Sequence, residues 1–181
     1  MPRVLVVLCA AIVLTGAIAV AVFGRPGPSL DPEREQAVRT AVETHLEQNH
    51  WQGVLAARYE DQRVLWICAT EVIEANREQS EIGMRVLCDE YAAINGELLY
   101  GSGESMPVLA TVTTPPDAVA VLSVRSPPDG AGNAEWIEDH FSWLGVKKLH
   151  RFEGGDLQDE TVTKALSAFG LPADAPVRPR S

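Results

Sequence analysis

The chain of 181 residues has no Asp or Glu among its first 28 residues, and only two basic residues there, Arg3 and Arg25. All 25 acidic side chains therefore lie in residues 29–181, against thirteen basic ones, which gives that part a net charge of −12. A body this acidic is repelled by nucleic acid and by anionic lipid headgroups, and nucleic acid is not expected as a partner. Cysteine is scarce too: three cysteines exclude a disulfide-dense scaffold. The 14 Gly and 12 Pro are too few for a collagen-like chain, and 46% apolar residues are too many for a wholly disordered one. Also absent are the spacings that chemistry leaves in a sequence, namely HExxH, Cys/His ligand sets, GxSxG and the phosphate-binding GxxxxGK[ST]. No catalytic residue, metal or cofactor follows from motifs, and the reading leans away from an enzyme.

What the sequence does have is a run of twenty uncharged residues, 4–23, which as a helix spans about 30 Å, the thickness of a bilayer core. We read residues 1–23 as a signal-anchor that crosses the cell membrane once and leaves the rest outside. The alternative is a signal peptide cleaved near Ala21, after Ala19-Val20-Ala21, which would release a secreted protein. Residues 24–29, GRPGPS, form a stalk; residues 30–170 are the extracytoplasmic domain, and the Pro-rich residues 171–181 are expected to be a disordered tail.

Within the domain, Asp31-Pro32 opens a helix whose face is Val38, Ala41, Val42, His45 and Leu46, ending near Asn49. Strand-like residues follow at 54–59 and 64–75. A hairpin centred on Glu78 pairs residues whose numbers sum to 156. Cys68 then faces Cys88 and Glu71 faces Arg85, so one register satisfies a disulfide and a charge pair, with Trp66, Cys68, Val72, Ile82, Met84, Val86 and Cys88 on a single face. A helix over residues 69–79 is the competing reading. Asn95-Gly96 predicts a tight turn, Gly101-Ser102-Gly103 a break, and residues 114–117 a turn between strands at 108–113 and 118–124. Asn133 is placed to cap a helix over 134–144 stopped by Gly145, and Val162, Ala165, Leu166 and Phe169 mark a last helix stopped by Gly170.

The element order is α+β: an N-terminal transmembrane helix, then a helix packed on an antiparallel meander of four or five strands, with C-terminal helices. That order is similar to cystatin-like and NTF2-like rolls. The run Cys68-x2-Glu71-Val72, Val86-Leu87-Cys88-Asp89-Glu90-Tyr91, Asn95-Gly96-Glu97-Leu98, Gly101-Ser102-Gly103-x-Ser105-x-Pro107-Val108 and Pro128-Asp129-Gly130 resembles a group of uncharacterised bacterial exported or membrane-anchored small proteins. About 80 residues are covered and the shared motifs are turns. The group tends to have a basic residue before Asp-Gly, where this chain has Pro127-Pro128. The resemblance implies fold and compartment, and carries no activity.

Two functions fit. The first is a membrane-anchored interaction or accessory domain with an unidentified protein partner, for which Trp136 and Trp143, in a segment with three aromatics in eight residues, are candidate anchors. The second is a small roll-fold enzyme or ligand-binding protein with a pocket between the first domain helix and the sheet, for which Glu71, Asp89 and Tyr91 are candidate polar groups. His45 and His50, five residues apart, point about 140° away from each other on a helix and do not form a metal site.

Overall fold

The computed structural model describes residues 29–49, 53–151 and 155–179; the uncharged run at 4–23, most of the stalk and His50 lie outside them. Among the described residues no helix is long and apolar enough to cross a membrane. The fold is α+β. Asp31 accepts the Arg34 amide at 3.0 Å and opens α1 (Pro32–Asn49), whose Val38 and Val42 are fully buried. Residues 54–58, expected to be extended, instead form a short helix, α2 (Val54–Arg58). The buried carboxylate of Glu90 accepts the amides of Leu55 and Ala56 at 2.8 and 2.9 Å, and an anion against unpaired amides favours a helical turn over a strand.

Strands β1 (Val64–Ala75), β2 (Glu81–Ile94), β3 (Glu97–Val112) and β4 (Val121–Arg125) run antiparallel in that order. β1 and β2 pair from Val64↔Ala92 to Val72↔Met84, which includes Cys68↔Cys88 and Glu71↔Arg85, the register read from the sequence. The two cysteines are disulfide-bonded, their Cα atoms 4.1 Å apart. A bulge at Ile73 then brings Glu74 opposite Gly83. Asn95 and Gly96 join β2 to β3 with φ values of 52° and 82°, the positive pair that a two-residue hairpin turn with right-handed twist requires.

Four further expectations need correction. Gly101-Ser102-Gly103 is not a break: β3 passes through it, with one extra residue between Tyr100 and Gly103 opposite Glu90. A Cβ on Gly101 would lie 2.5 Å from Leu55 Cγ and 2.6 Å from Glu90 Oε2, so this glycine marks a close approach and not a loop. The single helix over 134–144 is in fact two, α3 (Asn133–His140) and α4 (Trp143–His150), with Gly145 inside the second. The carboxylate of Glu74 accepts the Ser142 amide at 2.7 Å and the Ser142 hydroxyl, and Ser142 Oγ accepts the Gly145 amide at 3.1 Å, which restarts the helix. After α5 (Gly155–Phe169), ended by Gly170 at φ 65°, the supposed disordered tail is ordered to residue 179. There β5 (Val177–Pro179) runs parallel to β3 from Leu98, so the sheet is mixed and not a pure antiparallel meander.

Helices cover both faces of the sheet. α1 lies over Cys68, Ile82, Met84, Val86, Cys88, Val108, Ala110 and Val112. On the other face Ile67, Tyr91 and Leu98 meet Ala165 and Leu166 of α5, and Phe141 packs on Gly83. β1 ends the strand order, and its outward groups are taken up by charged side chains. The Cys68 and Thr70 amides donate to Glu47 and Glu43 at 2.9 and 3.0 Å, and Lys164 and Lys148 donate to the Cys68 and Ile73 carbonyls at 3.1 and 3.0 Å. Because both backbone groups of Cys68 point outward, Cys68 and Cys88 form a non-hydrogen-bonded pair. That is the closer of the two antiparallel pair types, and it suits a disulfide.

Candidate functional site

Asp89 and Tyr91 come from β2 and meet Gln158 and Thr161 of α5. Asp89 Oδ2 accepts from Gln158 at 3.0 Å, from the Tyr91 hydroxyl at 3.3 Å and from Thr161 at 3.4 Å; Tyr91 and Thr161 hydroxyls are 2.9 Å apart. Burial pushes the Asp89 carboxyl above its ordinary range, against the pull of those hydrogen bonds, and burial reinforced by the neighbouring carboxylate pushes the Tyr91 hydroxyl up as well. Tyr91 and Thr161 are fully buried and Asp89 is 7% exposed. Asp89, Tyr91 and Thr161 are thus buried beneath α5, with the exposed Gln158 at the rim of the cluster. Its chemical work is to fix α5 on the sheet through satisfied polar contacts.

Glu71 is not part of it. It lies on the same face but four residues further along β1, in the row of Arg85, whereas Asp89 pairs with Ile67; at strand spacing that is about 13 Å. Arg85 is tied to this face by the Glu71 charge and by the Leu149 carbonyl, which accepts from Nη2. The three candidate pocket residues therefore do not converge.

A cavity does lie between α1 and the sheet, on the opposite face from Asp89. It encloses about 260 Å³, with Leu46, Met106, Val108 and Val124 as its apolar part and His45, Asn49, Glu104 and Ser126 as its polar part. A pocket at this place was expected with Glu71, Asp89 and Tyr91 as its polar groups; its lining comes instead from the unbroken β3, which alternates Glu104, Met106 and Val108 onto the face under α1.

The two candidate anchor tryptophans sit at one end of the sheet. Trp136, on α3, is half-buried: its ring stacks on His140 at 4.2 Å and tilts over Phe141 at 6.3 Å. Trp143, the first residue of α4, is 68% exposed and its neighbour Leu144 is 50% exposed, with Lys147 Nζ 3.7 Å above the indole. Phe141 is the aromatic that packs inward. Among the described residues no group of His, Cys, Asp and Glu side chains could hold a metal ion. The carboxylates with the most structural work, Glu43, Glu74 and Glu90, were not legible as such. For Glu90 and Glu74 the available signal was glycines at close range, Gly53 and Gly101 against the first and Gly145 against the second; Glu43 had none. No protein-family model, curated protein or solved structure matches the chain.

Proposed function

We propose that the chain is a membrane-held extracytoplasmic interaction domain that works without catalysis and makes its contact through the aromatic end formed by α3 and α4. The observation that carries this reading is the exposure of Trp143 beside Leu144. Adjacent large apolar side chains on an acidic surface are costly to leave in water, and rigid aromatic anchors dominate docking surfaces because they bury much area for few rotatable bonds. The disulfide supports an oxidising compartment, and the uncharged run at 4–23 supports the tether. The resemblance to bacterial exported proteins points the same way.

The test is a photoreactive phenylalanine analogue at position 143 in the full chain, irradiated in cells. A covalent adduct to a protein or a lipid is expected; a disulfide-bonded chain that forms neither overturns the reading.

A second reading has one specific observation behind it, the cavity beneath α1. Its size and its mixture of apolar and polar lining fit a small amphipathic ligand. Native mass spectrometry of the chain in mild detergent would then show a bound small molecule, lost on Met106→Trp. A bare chain in the unmodified protein removes this alternative.

A further inference from the structure

We propose that the Trp143–Leu144 tip docks into the headgroup layer of an anionic phospholipid bilayer, the one to which residues 4–23 tether the chain. This deepens the interaction reading and rests on the tether. Position is the first support. Leu30, two residues past the stalk's last Pro, is buried with Ala75 and Ile82, and Arg34 donates to the Gln79 and Thr113 carbonyls at 3.2 and 2.6 Å. The chain therefore enters the domain at the β1–β2 turn. α4 starts at that same end, where Glu74, two residues before Asn76, holds Ser142. Tether and tryptophan leave the sheet from one end. A six-residue stalk reaches about 20 Å at most, so that end is kept close to the headgroups whenever the tether is in place.

Chemistry is the second support. Residues 140–151 contain no acidic side chain and carry Lys147, Lys148 and Arg151, in a body of net charge −12. Lys148 is spent on the Ile73 carbonyl, but Lys147 is exposed beside Trp143, and His150 and Arg151 are exposed about two turns further along α4. An indole favours the headgroup level, a leucine enters the acyl boundary, and a lysine lying over the ring keeps its ammonium among phosphates. Exposed Glu135, Glu138 and Asp139 on α3, and exposed Asp31, Glu33, Glu78 and Glu81 around the start of α1 and the β1–β2 turn, are repelled by the same surface, which limits the contact to the tip of α4.

The full chain, reconstituted through its own amino-terminal segment into phosphatidylcholine vesicles with acyl chains brominated near the headgroup, tests this. Residues 4–23 contain no Trp, so bromine quenching reports on the rest of the chain. Quenching that Trp143→Phe abolishes is expected, increased about twofold by phosphatidylglycerol, with Lys147→Gln removing the increment. A chain that floats with the vesicles yet shows no Trp143-dependent quenching overturns the docking and leaves the tip for a protein partner, which the photoadduct would identify. Quenching indifferent to phosphatidylglycerol overturns the anionic surface. A chain that fails to float overturns the tether, and the docking with it.

Discussion

Lys164 meets Glu43 at 2.9 Å beside the outer edge of β1, and through this contact α5 and α1 close around the last strand of the sheet. Glu43 is the better buried partner, with its side chain 10% exposed against 35% for Lys164, and its other oxygen accepts from both the amide and the hydroxyl of Thr70. Glu43→Ala leaves those two donors unpaired and should lower stability by about 2–3 kcal/mol, while Lys164→Met, at a wetter position, should cost about 1 kcal/mol. Urea denaturation of the two variants checks the order; equal losses would mean that the Thr70 contacts add nothing.

Reduction of Cys68–Cys88 reopens a loop that the bond closes over a separation of 20 residues, and should cost about 3 kcal/mol through the freedom regained by the unfolded chain. Thiol labelling of denatured, unreduced protein should modify Cys9 alone if residues 1–23 are retained, and no cysteine if they are cleaved. Labelling of Cys68 or Cys88 would show that the bond does not form in cells.

The pH dependence of stability should carry two opposed contributions. Burial raises the Asp89 carboxyl above its ordinary 3.8, so the folded state holds that proton more tightly than the unfolded one, and stability falls as pH rises from 3.8 through the raised folded value. Burial would also raise Glu160, but hydrogen bonds and charge from Lys164 and Arg39 prevail and hold it below its ordinary 4.5. Its contribution is present above 4.5 and is lost as pH falls through the folded value. Asp89→Asn should therefore gain in melting temperature relative to the parent as pH rises above 3.8, whereas Glu160→Gln should fall behind the parent as pH rises toward 4.5 and keep a constant deficit above it. Parallel profiles for both variants and the parent would contradict the assignment.

Gly101→Ala is expected to destabilise by about 1–3 kcal/mol, since its Cβ would press on Leu55 and on the Glu90 carboxylate that starts α2. Gly96→Ala meets nothing, and its cost should come only from the positive φ of 82°. Far-ultraviolet circular dichroism melts separate the two. In contrast, Trp143→Ala should leave stability within about 0.5 kcal/mol, as befits a residue 68% exposed.

The parts of the fold legible in the sequence were those governed by near neighbours. The β1–β2 register follows from alternation and from Cys68 and Glu71 finding partners together. The Asn95-Gly96 turn follows from two residues that tolerate positive φ, and the end of α5 follows from Gly170. What was not legible depended on residues far apart in the chain. Nothing local tells that Glu90 reaches back 35 residues to start α2, or that Glu74 reaches forward 68 to restart a helix at Ser142. The same limit explains the site. Alternation puts Glu71, Asp89 and Tyr91 on one face, but only tertiary packing decides that α5 covers two of them and not the third, and that the open cavity lies on the other face.

The two fastenings of β1 draw on different lengths of chain. Its covalent fastening needs nothing beyond Cys88, whereas its edge is sealed only when residue 164 arrives. Under oxidising conditions a nascent chain can form the bond and lock its register while the outward Cys68 carbonyl still awaits its lysine. A protein truncated before residue 155 would be correctly cross-linked yet expose that edge to other strands. In this chain, oxidation reports that the hairpin has formed and says nothing about whether the sheet is protected from self-association.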